Sequence, residues 1–596
     1  MYTAPVEEIG FALNKVAGLD AAIEAGLMGD LSADLVEAIL LEAGKFASDE
    51  IAPLGATGDR QGARFSNGSV TTPDGWKDLY ARWSGAGWNA LTGPVNHGGQ
   101  GLPTSLSAAV AEMWNGASMA FAIGPTLTIG AVDAIEIHGS DHLKRTYLDK
   151  LVSGEWMGTM NLTEPQAGSD LSGLRTRAER RDDGTYRLFG QKIFITYGEH
   201  DLTENIVHLV LARLPDAPGG VKGISLFLVP KFLVNEDGSL GARNDVKCHS
   251  IEHKMGIHGS PTCTMIYGDG TGDTGEAGAV GWLVGEENKG LACMFTMMNS
   301  ARLYVGIQGL GVAEAAFQEA LSYAKDRRQG RSTLLGKEPE RTSETSPIIE
   351  HPDVARMLLT MKALTGSARA IAYACGHAID MGRAHEGEDA KAWGERASLL
   401  TPLAKAFPTD VGVEVASLGI QVHGGMGYIE ETGAARLLRD ARIAPIYEGT
   451  NGIQAIDLVM RKLPLSQGRA VAAYIDELAA IGDEVRASNR QGFGRTGEAL
   501  AEAISDLRET TDFLLAAVGD KRTDEALSGA TAYLRLFSLT AGVAYLAKGA
   551  LADASREDRT ALARFAAENL LTEIGALKRQ VIEGAASLDA ARSALN

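Results

Sequence analysis

The spacing of hydrophobic residues divides the chain into helical and strand-like parts. In residues 1–160 apolar positions recur every three or four residues, as in LSADLVEAILLEAGKFASDEIAPL, which predicts a helix ending at Pro53. SLSAAVAEMWNGASMAFAIG is more uniformly apolar, which indicates a buried helix. From residue 161 to about 285 the pattern becomes short and alternating, in YRLFGQKIFIT, NIVHLVLARL and GISLFLVPKFL. These segments predict a β domain.

The helical period returns after residue 285. ARLYVGIQGLGVAEAAFQEALSYAKDRR, DVARMLLTMKALTGSARAIAYACGHAID and LTPLAKAFPTDVGVEVASLGIQVHGG predict three long helices, and long helices with short connections favour a bundle. GRSTLLGKEPERTSETSPIIEHP, between the first two, is polar and predicts a surface loop. After Pro464 an Ala-rich helical region continues to the end. We therefore expect a mainly α chain with a central β domain and boundaries at 1–160, 161–285, 286–463 and 464–596.

Composition narrows the function classes. The formal net charge is −20 over 596 residues, which disfavours a nucleic-acid partner. None of the four cysteines forms a CxxC pair, which favours reduced thiols and a cytoplasmic location over a disulfide framework or a zinc site. The start is acidic rather than signal-like, and no uninterrupted apolar run approaches the roughly 18 residues of a spanning helix, so we expect no membrane partner.

Four short stretches could carry chemistry. MNLTEPQAGSD places hydroxyls and glycines in a turn that could approach a flat ring or a phosphate; KIFIT ends a strand with an aromatic and a hydroxyl; QVHGGMGY follows a helix with two glycines. An ordinary β-turn, a core strand and a helix cap also explain them individually. His423 is better explained as structural. No metal-binding, Walker A or GxGxxG pattern is present, so we expect no metal. The fourth stretch, PIYEGT, carries an acid with no basic residue beside it.

Taken together and in this order, the motifs resemble those of the acyl-CoA dehydrogenase family. The resemblance covers roughly residues 80–460 and rests on YLDKLVSGEWMGTMNLTEPQAGSD, KIFIT, KMGIHGSPTC, GEENKGL, NSARL, DRRQGR, QVHGGMGY and RDARIAPIYEGT. It implies an N-terminal helical domain with an N-terminal extension, a middle β-barrel-like domain, a C-terminal four-helix bundle and, here, an additional helical domain. It also implies FAD as cofactor, bound between the middle domain and the bundle and partly across a subunit interface.

The resemblance assigns Glu448 as the base that removes the α-proton of an acyl-CoA thioester, giving a trans-2-enoyl-CoA. The residues that it implies for FAD binding are Met160, Leu162, Thr163, Gly168, Ser169, Phe194, Ile195, Thr196, Arg327, Gln421, Val422, Gly424, Gly425, Thr450 and Asn451. The residues that it implies for substrate binding are Ser169, Asn299, Arg302, Tyr447, Glu448 and Gly449. Phe194 stands where the family usually has tryptophan, Asn299 where some relatives have aspartate, and His351-Pro352 where the family has a His-Gln pair.

The residues around Glu448 suit this role. Apolar neighbours and an acyl chain would raise the pKa of its carboxyl, which strengthens it as a base. The absence of a cationic partner would leave that effect unopposed, and Gly449 would let a strand turn beneath the flavin.

Within the family, the chain is similar to the long forms, whose extra C-terminal domain favours a homodimer. It is most similar to bacterial 3-methylmercaptopropionyl-CoA dehydrogenases of dimethylsulfoniopropionate breakdown, through MYTAPVEEIGFAL, VNEDGSLGARNDVKCHSIEHKMGIHGSPT and the C-terminal region. An electron-transfer flavoprotein is the expected electron acceptor. A short- to medium-chain fatty acyl-CoA dehydrogenase, an acyl-CoA oxidase and a flavin-containing DNA-binding protein on the same scaffold are the alternatives.

Overall fold

A computed structural model describes residues 1–332 and 345–595. Its α-helices, in chain order, are α1 Val6–Phe11, α2 Leu19–Glu24, α3 Ala33–Phe46, α4 Ala52–Gln61, α5 Trp76–Gly85, α6 Thr104–His138, α7 Asp141–Ser153, α8 Gly290–Asp326, α9 Pro352–Ala384, α10 Gly387–His423, α11 Ala434–Ala441, α12 Asn451–Asp457, α13 Arg469–Ala487, α14 Thr496–Gly519, α15 Thr523–Ala552, α16 Glu557–Asn569 and α17 Ile574–Ala591. Its strands are β1 Arg64–Ser66, β2 Ser69–Thr71, β3 Met157–Asn161, β4 Arg177–Arg180, β5 Tyr186–Thr196, β6 Ile206–Arg213, β7 Ile224–Pro230, β8 Phe232–Val234, β9 Leu240–Arg243, β10 Val246–Ile251, β11 Thr262–Tyr267 and β12 Ala279–Val284.

The chain folds into two compact units. One contains Met1–Ala47, Pro103–Ala117 and the described residues from Arg302 onward; the other contains Ser48–Leu102 and Ser118–Ala301. We call them the helical unit and the β unit. The predicted mainly α fold with a central β region is confirmed. Residues 333–344, part of the predicted surface loop, lie outside the described residues.

The β unit is built on an eight-stranded sheet. Its order is β10-β11-β5-β12-β7-β6-β3, with β4 pairing to both β5 and β6. The double pairing of β4 closes a ring through β5, β12, β7 and β6, which explains the barrel-like character. The pairs β3–β6 and β4–β6 are parallel and the other pairs of this sheet are antiparallel. Alternating apolar residues of these strands form one core, which includes Leu188, Val210 and Phe227.

The helical unit is organised around α9, α10 and α15. The first two pack along each other, and α15 packs against α9 and against α14, α16 and α17 of the C-terminal region. The part of α8 in this unit approaches α10 very closely, because a Cβ at Gly306 would lie 1.8 Å from the carbonyl oxygen of Ala404. Only glycine permits such an approach of two backbones.

Three features of the structure differ from the sequence expectations or add to them. The helix predicted to end at Pro53 continues through a π-helical segment into α4, because proline is tolerated in the first turn of a helix. The hairpin β1–β2 was not predicted in the N-terminal region. Finally, α6 is long and apolar enough to span a membrane by length and composition, although 89% of its most apolar window is buried inside the protein.

Candidate active site

Glu448 lies in an irregular turn between α11 and α12. The expectation that Gly449 turns a strand is wrong, because residues 442–446 form turns and residues 447–449 form a bend. Glu448 has φ 57° and Gly449 has φ 80°. For a residue with a side chain, the left-handed region costs about 1 kcal/mol, and such strain persists only where the surroundings over-determine it. The turn therefore points to a position fixed for function.

One oxygen of the Glu448 carboxyl is withheld from water. The residue as a whole is partly exposed, but its Oε1 is buried and has no hydrogen-bond partner among the described residues. Burial raises the pKa of this carboxyl to about 7, against the opposing charges of Arg302 and Lys405. The expectation that no cation faces Glu448 is thus wrong: two cations lie near it in the fold, although neither is beside it in the sequence. A carboxyl that titrates near neutrality is well placed to act as a general base.

Lys405, which the sequence did not single out, is bonded to both ends of this turn. It is fully buried on α10, and its Nζ donates to the carbonyl oxygens of Ala444 (3.0 Å) and Gly449 (2.8 Å) and to Oδ1 of Asn451 (2.9 Å). The only indication of its role in the sequence was the presence of a lysine inside the mostly apolar stretch LTPLAKAF. Sequence reasoning missed this contact to the turn that carries Glu448.

The neighbours of Glu448 hold its turn in further ways. The hydroxyl of Tyr447 donates to Oε1 of Gln308 on α8, and Nε2 of Gln454 donates to the carbonyl oxygen of Glu448 (3.3 Å). The hydroxyl of Thr450 caps α12 by accepting from the backbone N–H of Ile453 (3.2 Å). The turn is therefore fixed from two long helices and from the helix that follows it.

Asn451 and Arg302 are engaged with other side chains. The Asn451 amide donates to the carbonyl oxygen of Ala406 (3.1 Å) and to Oδ1 of Asp410 (2.7 Å), so its predicted FAD contact stays a prediction. Arg302 is buried on α8, with Nη1 3.8 Å from Oδ2 of Asp457. In the helical unit the structure therefore brings Tyr447, Glu448, Gly449, Thr450, Asn451 and Arg302 into one cluster.

The β unit brings together the predicted residues of MNLTEPQAGSD and KIFIT. The backbone N–H of Ile193 donates to the carbonyl oxygen of Thr163 (2.9 Å), and the hydroxyl of Thr159 donates to the backbone carbonyl oxygen of Thr196 (2.9 Å). These bonds tie the turn after β3 to the end of β5. Thr163 and Thr196 are partly exposed, whereas Gly168 and Ser169 are exposed.

A buried ion pair supports that turn. Lys192 Nζ donates to Oε1 of Glu164 (2.9 Å) and to the carbonyl oxygen of Leu162 (2.9 Å). Oε1 and Oε2 of Glu164 also accept from the backbone N–H groups of Thr176 (2.9 Å) and Arg175 (2.7 Å). Burial alone would raise the pKa of Glu164, but the charge of Lys192 and these hydrogen bonds lower it to about 2.

Phe194 projects from an irregularity in β5. The pairing with β11 shifts register between Lys192 and Ile195, and Phe194 has φ 61°. Such a bulge re-aims a side chain, and the Phe194 ring is 58% exposed while Ile195 is buried in the core. Met160 and Leu162 pack partly buried against the adjoining core. Because its side chain is buried, Ile195 could meet a cofactor only through its backbone.

The remaining predicted residues lie at or just beyond the C-terminal ends of α8 and α10. In the last turn of α10 Gln421 is exposed and Val422 is buried, and Gly424 and Gly425, directly after the helix, are exposed. The ring of His423 stacks on Tyr323 of α8 at 4.4 Å, so the exposed Arg327, one turn beyond Tyr323, lies at the same end of the two helices.

Asn299 is exposed on α8 within the β unit. The structure records no hydrogen bond for its side chain that would join it to the other predicted residues of that unit, so its predicted substrate contact stays a prediction.

These residues fit FAD, considered within each unit separately. In the β unit the uncovered ring of Phe194 offers a face to a flat heteroaromatic ring, with the Thr163 and Thr196 hydroxyls available for its polar edge. In the helical unit a Cβ at Gly424 or Gly425 would meet no atom within 4 Å, which leaves room for a ligand against bare backbone. Also in the helical unit, the unbonded Oε1 of Glu448 is a group that a bound substrate would cover.

Comparisons with known families cover nearly the whole chain. Residues 34–155 match the acyl-CoA dehydrogenase N-terminal domain, 159–269 the middle domain, and 288–339 and 339–463 the C-terminal domain. Residues 471–591 match the domain described as acetyl-CoA dehydrogenase C-terminal like.

Two relatives illustrate the similarity. The 3-methylmercaptopropionyl-CoA dehydrogenase of Ruegeria pomeroyi is 46% identical over 98% of this chain and 99% of its own length. A butyryl-CoA dehydrogenase of Syntrophomonas wolfei is 38% identical over 79% of this chain and 76% of its own.

Solved structures share the fold. Caenorhabditis elegans ACDH-11, crystallised with C11-CoA, superposes with a TM-score of 0.75 at 20% identity, covering 98% of this chain and 96% of that one. A structure described as the electron transferring flavoprotein of Acidaminococcus fermentans gives a TM-score of 0.57 at 26% identity, covering 72% and 98%. By its domain matches, its relatives and its fold, this chain belongs to the acyl-CoA dehydrogenase family of FAD-dependent oxidoreductases.

Proposed function

We propose that the chain oxidises 3-methylmercaptopropionyl-CoA across its Cα–Cβ bond to the trans-2-enoyl-CoA, with Glu448 as the base. The observation that carries this proposal is the Glu448 carboxyl, whose Oε1 is buried and unbonded and whose pKa burial raises to about 7. The choice of acyl group is supported by the Ruegeria pomeroyi relative, which matches over both chains nearly end to end. On this proposal the enzyme serves dimethylsulfoniopropionate breakdown.

The work of the protein side chains is proton removal and positioning. Glu448 takes the α-proton, the electrons of the Cα–H bond form the new double bond, and the β-hydrogen leaves with its electron pair. FAD supplies the acceptor for that hydride when it is bound. The buried position of Oε1 keeps water from solvating that oxygen, which helps the carboxylate to retain its basicity. Tyr447, held by Gln308, and the backbone around Gly449 keep the carboxylate in place.

Thr163, Ser169 and Phe194 of the β unit, and Arg327, Gln421 and Gly424 of the helical unit, are the proposed FAD-facing groups. The exposure of Phe194 and the open space at Gly424 support this assignment. Asn299 and Arg302 are the proposed contacts to the CoA part of the substrate.

We also propose a cytoplasmic homodimer that passes electrons to an electron-transfer flavoprotein and binds neither membrane nor nucleic acid. The segment after α10 supports the dimer, because Met426 (49%), Tyr428 (86%) and Ile429 (45%) are apolar and exposed, and a second copy would cover them. The net charge of −20 opposes nucleic-acid binding. Light scattering of the wild type and of Tyr428→Lys tests the dimer; a wild-type monomer refutes it.

The principal alternative is a fatty acyl-CoA dehydrogenase of short or medium chain length, which the butyryl-CoA dehydrogenase relative favours. Anaerobic titration with 3-methylmercaptopropionyl-, butyryl-, octanoyl- and palmitoyl-CoA, followed by the visible flavin absorbance and by kcat/KM, separates the two. We expect kcat/KM for 3-methylmercaptopropionyl-CoA to exceed that for butyryl-CoA about tenfold. An equal or higher value for butyryl- or octanoyl-CoA would favour the alternative. Full turnover with oxygen as the sole acceptor would identify an oxidase instead.

A further inference from the structure

The ammonium group of Lys405 connects residues on both sides of Glu448. Its three acceptors are the carbonyl oxygens of Ala444 and Gly449 and Oδ1 of Asn451, at 2.8 to 3.0 Å. Ala444 precedes Glu448 in the turn, Gly449 follows it, and Asn451 begins α12. One buried side chain therefore closes the segment that holds Glu448 in its left-handed conformation.

Close packing of α8 on α10 keeps Lys405 in place. A Cβ at Gly306 would meet the carbonyl oxygen of Ala404 and lie 3.3 Å from the Cα of Lys405. The lysine backbone is thus held against a neighbouring helix. Its side chain is completely buried, so it cannot exchange these acceptors for water.

We propose that Lys405 is a positioning residue for the catalytic base, fixing the turn from Ala444 to Gly449 and presenting a positive charge to the carboxylate form of Glu448. This proposal rests on the proposed role of Glu448 in dehydrogenation. It assigns no contact between Lys405 and the substrate or FAD.

The hydrogen-bond geometry favours the charged form of Lys405. An ammonium has three protons, and each has an acceptor here, whereas a neutral amine would leave one acceptor without a donor. Burial lowers the pKa of Lys405 to about 7, while the charges of Glu448 and Asp410 oppose that effect and Arg302 adds to it. Glu448 is in turn faced by Arg302 and Lys405. Removing the lysine charge therefore removes one of two cations that lower the pKa of Glu448.

Three variants of the FAD-saturated full-length enzyme test the proposal. Lys405→Met removes charge and donors, Lys405→Arg keeps the charge but changes the donor geometry, and Lys548→Met is the control. Lys548 is a partly buried lysine in the same unit that donates to the carbonyl oxygen of Val16 (2.7 Å). The first readout is the infrared carboxyl signal of Glu448, identified by its loss in Glu448→Gln and titrated with pH without substrate. The second is kcat.

We expect Lys405→Met to raise the pH at which the Glu448 signal titrates by about one unit, since an opposite charge is lost. Lys405→Arg should titrate like the wild type. Both should lower kcat about tenfold because the base is misplaced, and Lys548→Met should change neither readout. A wild-type titration or a wild-type kcat in Lys405→Met overturns the proposal. So does an equal titration shift in Lys405→Arg or Lys548→Met, which would show a merely structural effect.

If Lys405→Met does not fold, Lys405→Gln carries the same expectations, because it also removes the charge. The infrared titration needs no substrate, so its result stands even if the wild type oxidises no acyl-CoA. A wild type that oxidises no acyl-CoA would refute the proposed function and not the positioning role of Lys405.

Discussion

Lys192 and Glu164 form an ion pair in the β unit with both side chains buried, at 2.9 Å between Nζ and Oε1. The pair links the middle of β5 to the turn after β3, the two segments that carry Phe194 and Thr163. Because the carboxylate also accepts from Thr176 and Arg175, it is held in its charged form. A buried pair of this kind fixes geometry rather than adding much stability, but breaking it leaves an uncompensated charge.

Lys192→Met should therefore destabilise the enzyme by about 3 kcal/mol, because Glu164 keeps a buried charge without its partner. The enzyme should also retain less FAD, since the Thr163 turn loses its support. Denaturant unfolding and the flavin-to-protein absorbance ratio measure both effects. Lys289→Met, which breaks an exposed pair with Glu286 in the same unit, should cost less than about 0.5 kcal/mol. Equal losses of unfolding free energy in Lys192→Met and Lys289→Met would contradict the structural role given to the buried ion pair.

Glu448→Gln should remove the base without disturbing the fold. An amide cannot accept the α-proton, so kcat should fall at least about 10⁴-fold while FAD content and circular dichroism stay at wild-type values. Anaerobic addition of substrate should leave the flavin absorbance unbleached. Glu388→Gln, at a side chain 92% exposed on α10, is the control and should bleach normally. Bleaching of Glu448→Gln at the wild-type rate would remove Glu448 from its proposed role.

The raised pKa of Glu448 makes a separate prediction for pH. As a base it must be deprotonated, so kcat/KM should rise with pH through about 7. The free energy of unfolding should change with pH in the opposite direction to kcat/KM. The folded-state pKa of about 7 exceeds the ordinary value of 4.5, so the stabilising contribution is complete below 4.5 and is lost as pH rises through 7.

Relative to Glu448→Gln, the wild type should therefore lose about 1–3 kcal/mol of unfolding free energy between pH 5 and pH 8. Denaturant unfolding at saturating FAD measures the difference. The control is the difference in unfolding free energy between the wild type and Glu388→Gln, which should not change between pH 5 and pH 8 because that carboxyl is exposed. A difference that is constant across this pH range would mean that the carboxyl is solvated in the folded protein.

Local patterns in the sequence were enough to predict the strands of the β domain and the long helices. YRLFGQKIFIT is rich in aromatic and β-branched residues, and β5 spans Tyr186–Thr196. The hairpin β1–β2 was missed although Asn67-Gly68 is a strong turn signal, because its strands have only three residues each. Pro53 was misread because the position of a proline within a helix, not its presence, decides whether the helix ends.

The electrostatic surroundings of Glu448 could not be predicted from local patterns. Lys405 and Arg302 are distant from it in the sequence, and they reach it because glycines let α8 and α10 approach closely. The family resemblance identified the acid itself. It did not reveal that two cations oppose the rise in the pKa of the carboxyl, because their proximity depends on tertiary packing.

Phe194 allows cofactor binding to be separated from stability. Its ring is 58% exposed, so Phe194→Ala should change the unfolding free energy of the FAD-free protein by less than about 0.5 kcal/mol. It should nevertheless weaken FAD binding about tenfold, because a stacked aromatic contact is worth about 1 kcal/mol or more. Ile195→Ala is the matched control: this neighbour is 2% exposed, so its truncation should cost about 2–4 kcal/mol. Fluorescence titration of the apoprotein with FAD and denaturant unfolding measure the two quantities. Wild-type FAD affinity in Phe194→Ala would show that the ring faces solvent rather than the flavin.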